Sequence, residues 1–233
     1  IPCAMSPKPV FLKARGPSVT PGEPLRAPRR TLSEVFADTG AEAAAAGFVL
    51  AQLGHGEAPV LWIQERLAAR EGGQPSLAGL GLRRPFLTMQ LSRPADVLAA
   101  AEEGLRCRSL AAVVAEIRGN PAVLDFTAMK RLALRAEATG VSCWLIRQGA
   151  TADLSAARDR WRIATLPSAA NPDDARAPGD PRWRAELFRS RDRRPGQWVA
   201  RHDRAEDRLD LVAAVSDGAV ADRAREAGQR ALG

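Results

Sequence analysis

The chain has 233 residues, a formal net charge of +7, 45% hydrophobic residues and 26% charged residues, which is typical of a globular domain. No apolar run approaches the roughly 18 residues of a membrane span, which excludes a helical membrane protein. Three widely spaced cysteines and two histidines make a metal centre improbable, so we expect no metal, no cofactor and a cytoplasmic location.

The predicted elements begin after a basic arm. Residues 1–30 are rich in proline and hold six Lys or Arg against one Glu, a net charge of +5, which predicts a disordered arm. Strands are predicted at 32–36, 59–64, 85–91, 110–117 and 141–147, and helices at 41–53, 94–106 and 125–139, with a long Gly-rich loop at 69–84 that can hold a short helix. Repeated β-α-β units imply a mostly parallel sheet with helices on both faces.

After residue 150 the pattern changes to short strands separated by turn-rich stretches. We predict strands at 161–166, 182–189, 197–202 and 209–214. They are interpreted as antiparallel strands that extend one edge of the sheet. The predicted organisation is therefore an α/β domain over residues 31–215, followed by a C-terminal tail at 216–233.

The loop between the first strand and the first helix is the most informative segment. A P-loop nucleotide-binding protein carries G-x-x-x-x-G-K-[ST] at this place, with a lysine that reaches the phosphates. Here Ala43 and Ala44 stand where the lysine and the Ser or Thr are expected, and Asp38 and Glu42 add negative charge. We interpret the segment as a degenerate nucleotide loop. Its residues are Ala37, Asp38, Thr39, Gly40, Ala43 and Ala44.

A second basic segment, residues 181–204, holds eight Arg against three acidic residues, again a net charge of +5. Trp183 and Trp198 lie among these arginines. Such a mixture suits stacking on single-stranded bases with phosphate neutralisation, and it equally suits a protein interface or a structural role. A GC-rich genome would also favour arginine in a merely solvated surface. The candidate contact residues are Arg182, Trp183, Arg184, Arg189, Arg191, Arg193, Arg194, Trp198 and Arg201.

Longer strings carry a resemblance to known proteins. They lie at residues 34–40 (Glu-Val-Phe-Ala-Asp-Thr-Gly), 60–68, 101–117, 124–147 and 183–199. On these strings the chain resembles the ImuA family over about residues 31–215. The order of its elements resembles the RecA-like core.

The resemblance implies a RecA-related, non-enzymatic adaptor of SOS-induced translesion synthesis. Such a protein works with ImuB and an error-prone C-family DNA polymerase, with RecA and single-stranded DNA as further candidate partners and no membrane contact. The ImuB contact is expected at Leu209, Leu211 and Val215, whose alternation predicts a last edge strand. The alternatives are a DNA-dependent ATPase or recombinase-like enzyme, and a SulA-like inhibitor of a polymerising protein.

The resemblance also singles out two acidic residues. Glu65 and Glu116 stand where an active RecA-like ATPase activates water and helps to hold Mg²⁺. Without a phosphate lysine, both are interpreted as vestigial. One alternative is residual binding of a Mg²⁺–nucleotide, and the other is ion pairing with Arg66 or Arg118.

Overall fold

The fold is seen in a computed structural model, which describes residues 30–37, 39, 42–74, 76 and 84–213. Residues 1–29 and 214–233 lie outside the described residues, so the predicted arm and tail stay predictions. The described strands are β1 (Leu32–Ala37), β2 (Val60–Glu65), β3 (Phe86–Leu91), β4 (Ala112–Arg118), β5 (Ser142–Gln148), β6 (Asp159–Leu166), β7 (Arg182–Ser190), β8 (Gly196–Asp203) and β9 (Arg208–Ala213). The described helices are α1 (Ala44–Leu53), α2 (Arg66–Gly72), α3 (Pro94–Gly104) and α4 (Phe126–Thr139).

All nine strands belong to one sheet in the order β3-β2-β4-β5-β1-β6-β7-β8-β9. The pairs from β3 through β6 are parallel, and the pairs β6–β7, β7–β8 and β8–β9 are antiparallel. This confirms the predicted α/β class, with antiparallel strands at the C-terminal edge. One detail was wrong: β6 was expected to be antiparallel to the core, but it pairs in parallel with β1. Side chains alternate between the two faces with a period of two in both parallel and antiparallel strands, so the sequence pattern does not report the direction of a strand.

The sheet buries an apolar layer on each face. On one face α1 and alternate residues of the strands form one apolar cluster, which extends from Val60 in β2 to Leu211 in β9. On the other face α3 and α4 cover the remaining set, which includes Ile63 and Ile117. The strands between are therefore apolar on both sides, as expected for the middle of a parallel sheet. Among the described residues, no helix has the length and apolar character needed to cross a membrane.

Helix α1 is buried along nearly its whole length, and its C-terminus is fixed by an arginine. The Arg84 guanidinium donates hydrogen bonds to four carbonyl groups at this end, those of Leu53, Gly54, His55 and Ala58. A cation at the C-terminus satisfies carbonyls that the helix leaves without partners, and it complements the helix dipole. The contact also ties the start of β3 to the loop that leads into β2.

Two further predictions needed adjustment. The Gly-rich loop was expected from residue 69, but α2 already follows β2 directly and ends at Gly72. The i, i+3, i+4 pattern of α4 includes Phe126, Met129 and Leu132; Met129 and Leu132 are buried, whereas Phe126, the first residue of the helix, is 43% exposed.

Candidate functional site

The predicted nucleotide loop forms the expected strand–loop–helix connection. Ala37 ends β1 in the core, Thr39 and Ala43 are exposed, and Ala44 opens α1 and is buried. Asp38 and Gly40 lie outside the described residues. No side chain caps the helix at Ala43. Alanine side chains offer neither a cation nor a hydrogen bond to a phosphate.

One acidic side chain of this loop has a defined partner. The Glu42 carboxylate accepts a hydrogen bond from the backbone N–H of Thr165, near the end of β6, at 2.7 Å. The contact joins the loop to a strand that lies more than 100 residues away in the sequence. Glu42 therefore holds negative charge at the start of α1, where phosphate would bind in a nucleotide-binding protein.

Glu116 lies in the core and is bound only by neutral donors in the described part of the chain. Its carboxylate accepts hydrogen bonds from Trp62 Nε1 at 2.5 Å, Gln64 Nε2 at 3.2 Å and Gln148 Nε2 at 2.9 Å. Burial raises the pKa of Glu116, and the three hydrogen bonds oppose that rise. Glu116 therefore does not form the ion pair with Arg66 or Arg118 that was one of the alternatives from the sequence.

Glu65 ends β2, as predicted, and accepts a hydrogen bond from the backbone N–H of Arg118 at 3.1 Å. The Arg118 guanidinium pairs instead with Glu71. Alternation along β2 places Glu65 on the face opposite that of Gln64, whose side chain contacts Glu116. The structure therefore does not bring the two predicted acidic residues together around one ligand. Among the described residues, no group of three or more His, Cys, Asp or Glu is arranged to hold a metal ion.

The two tryptophans of the second basic segment face the core. Trp183 and Trp198 are 5% and 7% exposed. Trp183 packs edge-on against Phe48 of α1, and Trp198 packs against Trp161. Because both indoles are buried, neither can stack on a nucleic-acid base. The structural role of these two tryptophans is therefore the alternative that the fold supports. The position of Trp183 between Arg182 and Arg184 on a strand is the signal that favours this role.

The arginines of residues 181–204 form two groups, one at each end of β7. Arg182 lies opposite Arg201 at one end, where Asp180 pairs with Arg201 at 3.0 Å. The other end is the β7–β8 hairpin at residues 190–196. Nine residues of strand span about 27 Å, so one basic stretch of sequence forms two separate basic surfaces. The arginines at or next to the hairpin are Arg189, Arg191, Arg193 and Arg194.

The candidate partner-binding strand is the outer strand of the sheet. Leu209 and Leu211 of β9 are buried, so their side chains support the core and do not form a contact surface. No described strand pairs with the outer edge of β9. Val215 lies outside the described residues. What β9 offers to a partner is its backbone edge together with Val212, which is 46% exposed.

A buried ionic cluster escaped the sequence analysis. Glu34 of β1 accepts hydrogen bonds from Arg147 Nη1 at 3.2 Å and Arg160 Nε at 2.6 Å, and all three side chains are buried. Two guanidinium groups therefore share one carboxylate. Arg147 Nε and Arg160 Nη2 have no hydrogen-bond partner among the residues that the structure describes. Burial is the main cause that lowers the pKa of Arg147, and Glu34 opposes it. A charged residue inside each of three apolar strands is the signal that would have found the cluster.

A second feature that the sequence did not indicate lies beside α1. A cavity of about 210 Å³ is lined by Leu50 and Trp183, with His202 and Arg204 as its basic groups. His202 Nε2 lies 3.4 Å from Asp207 Oδ1, and His55 Nδ1 lies 3.2 Å from Asp207 Oδ2. Both histidines of the chain therefore contact one carboxylate, which links the end of α1 to the β8–β9 turn.

Comparison with known proteins shows similarity to ImuA proteins. No family model matches the chain. Protein ImuA from two strains of Caulobacter vibrioides is 36% identical over 185 residues, which cover 73% of this chain and 72% of the relative. Among solved structures, SulA from Pseudomonas aeruginosa matches with a TM-score of 0.38 and 23% identity, covering 50% of this chain and 96% of SulA. The identity and coverage shared with the two ImuA proteins show that this chain belongs to the ImuA family.

Proposed function

We propose that this protein is a non-catalytic, RecA-like adaptor of the SOS-induced mutasome, a DNA-damage mutagenesis system. In this role it supports error-prone translesion synthesis by binding ImuB, in a complex that includes an error-prone C-family DNA polymerase. RecA and single-stranded DNA are further candidate partners. Membership of the ImuA family supports the role in DNA-damage mutagenesis.

The β1–α1 loop carries the non-catalytic part of the proposal. Phosphoryl transfer relies on cationic groups that stabilise charge on the transferred phosphate. At the two positions where a P-loop has its lysine and hydroxyl, this loop has Ala43 and Ala44, and Glu42 places a carboxylate near the start of α1. Glu65 and Glu116 lie on different faces of the sheet and support no shared Mg²⁺ site. We therefore interpret the element as a degraded P-loop.

Measurement of phosphate release from ATP, with and without single-stranded DNA, separates the adaptor from an ATPase. We expect no hydrolysis above the rate of a heat-denatured sample. Glu65→Gln is the matched variant, because it keeps the side-chain shape and removes the carboxylate. A DNA-stimulated rate that disappears in Glu65→Gln would contradict the adaptor and favour the ATPase.

The partner-binding part of the proposal rests on the β9 edge. An unpaired strand edge presents N–H and C=O groups that accept a strand from another chain. Residues 214–233 follow β9 in the sequence and include Val215. We infer that ImuB binds the outer edge of β9 together with the C-terminal residues.

Capture of purified ImuB tests this contact. We expect capture to be lost when residues 216–233 are deleted and to be weakened by Val212→Lys, which places a charge beside the β9 edge. Met89→Lys is the matched control, because Met89 is 39% exposed on β3, the opposite edge strand. Circular dichroism checks that each variant is folded. Wild-type capture by both the folded truncation and Val212→Lys would exclude this site.

A further inference from the structure

The cavity of about 210 Å³ beside α1 is lined by parts of the fold that lie far apart in the sequence. α1 contributes the short side chain of Ala51, β7 contributes Trp183, and the β6–β7 connection at residues 167–181 contributes two prolines and a glycine. The lining is therefore mostly apolar, with His202 and Arg204 as its basic groups. An apolar cavity with a few polar groups is the usual form of a binding site.

The β6–β7 connection is held in place by backbone hydrogen bonds. The Ala169 N–H donates to the carbonyl of Asp180 at 2.8 Å, and the Gly179 N–H donates to the carbonyl of Ala169 at 3.2 Å. The His202 N–H of β8 donates to the carbonyl of Pro181 at 3.1 Å, which joins the connection to the sheet. The cavity is therefore formed before anything binds, and a preformed site loses little free energy to ordering when its occupant enters.

The charges around the cavity favour a neutral occupant. Arg204 Nε lies 3.7 Å from Asp180 Oδ1, and His202 Nε2 lies 3.4 Å from Asp207 Oδ1. An anionic ligand would have to compete with both carboxylates. An aromatic ring does not, because an indole such as that of Trp183 packs against a second ring and a guanidinium group is attracted to the face of a ring. The lining therefore suits a neutral aromatic group.

The volume and the position of the cavity suit a side chain from another protein. Sites for small molecules usually measure about 300–1,000 Å³, whereas a cavity of about 150 Å³ is enough to hold benzene. Aromatic side chains that fill such pockets are common anchors of protein interfaces. His202 lies opposite Leu209 of β9, so a strand added to the β9 edge would run two strand spacings, about 10 Å, from the His202 backbone.

We propose that this cavity is the anchor site for one neutral aromatic side chain of the protein that binds the β9 edge. The inference rests on the proposed function, because it names a contact within the interface with ImuB. The ring would contact Trp183 and the Arg204 guanidinium, and it would fill space that the lining of the free protein leaves open.

Binding of fluoroindole to the full chain, followed by fluorine NMR, tests the ring site without any partner. Ala51→Leu extends a side chain of α1 into the cavity, and Ala138→Leu makes the same change at an exposed position of α4. We expect fluoroindole to bind wild type and Ala138→Leu, and its affinity to fall about tenfold or more in Ala51→Leu. Ser168→Phe fills the cavity from the β6–β7 connection, so the site stays testable if Ala51→Leu does not fold.

Capture of purified ImuB by the same variants identifies the source of the ring. Loss of an interface anchor weakens binding strongly, so we expect the affinity for ImuB to fall about tenfold or more in Ala51→Leu and to stay unchanged in Ala138→Leu. Saturating fluoroindole should weaken capture by wild type in the same way. Thermal unfolding shows that each variant is folded.

The outcomes separate the ring site from the proposed function. Absence of fluoroindole binding to wild type, or an equal loss in Ala51→Leu and Ala138→Leu, overturns the ring site. Wild-type capture of ImuB by a folded Ala51→Leu that no longer binds fluoroindole overturns the assignment to the partner, assigns the cavity to a free aromatic compound and leaves the adaptor in place. If wild type captures no ImuB, the proposed function and the assignment to this partner both fail, whereas the fluoroindole measurement still decides the ring site.

Discussion

Replacement of Glu34 by glutamine should destabilise the protein strongly. The variant keeps the size of the side chain and one acceptor oxygen, but it removes the single negative charge between Arg147 and Arg160. Removal of one partner from a buried ion pair costs about 3–5 kcal/mol, because the remaining charge stays buried without compensation. Two guanidinium groups lose their counter-charge here, so we expect a value in the upper half of that range.

Urea unfolding, followed by tryptophan fluorescence, measures this loss. A domain has about 5–15 kcal/mol of stability in total, so the midpoint should shift by a large fraction of its value. Glu186→Gln is the matched control: it breaks the Arg162–Glu186 pair, whose side chains are 50% and 31% exposed, and it should cost less than about 1 kcal/mol.

A triple variant tests the role of charge burial even if Glu34→Gln does not fold. Replacement of all three charges, with Glu34→Leu, Arg147→Met and Arg160→Met, removes the buried charge altogether and should recover much of the lost stability. If Glu34→Gln costs no more than Glu186→Gln, or if the triple variant is less stable than Glu34→Gln, charge burial is not what makes Glu34 important.

Two other changes test the packing and the electrostatics of the core. Since burial raises the pKa of Glu116, the folded state holds its proton to higher pH than the unfolded state, and stability falls as pH rises through that interval. Glu116→Gln should therefore gain stability relative to wild type as pH rises above about 4; parallel pH profiles from urea unfolding would contradict this. Gly47→Ala would place a Cβ 2.8 Å from Trp183 Cζ2. The overpacking costs about 1–3 kcal/mol and the gain in helix propensity returns about 1 kcal/mol, so thermal unfolding should show a net loss that Trp183→Phe relieves in the double variant; an equal loss in both would exclude the clash.

The sequence predicted the order of the elements well, because local periodicity decides it. Apolar runs placed β4 and β5 to within two residues, and the i, i+3, i+4 pattern placed α4. Features that depend on which strands become neighbours were not accessible in this way. The Glu34 cluster joins three strands, and Glu34 lies 113 residues from Arg147 and 126 residues from Arg160 in the sequence. The charged residue inside each apolar strand is visible in the sequence, but no local pattern reports which strands become neighbours.

In the candidate site as well, the sequence located individual residues, whereas their contacts became visible only in the fold. The absence of a lysine at Ala43 and Ala44 is visible in the sequence, whereas the bond from Glu42 to β6 required the fold. Glu116 was located correctly on β4, but its neutral partners come from β2 and β5. Arg182 and Arg194 are near neighbours in the sequence, yet they lie at opposite ends of β7 and its hairpin. Their separation follows from strand length and not from composition.

The Glu42 hydrogen bond has a consequence for how this loop would respond to change. A lysine at position 43 and a threonine at position 44 would restore the cation and the hydroxyl group of G-x-x-x-x-G-K-[ST], but not its two glycines, since positions 37 and 42 hold Ala37 and Glu42. The Glu42 carboxylate would still be held near the start of α1 by the Thr165 N–H, where it would pair with the new lysine and repel a phosphate. Recovery of nucleotide binding would therefore require at least one additional substitution, at Glu42, in the same protein. A single substitution in this loop would therefore not create a phosphate-binding site.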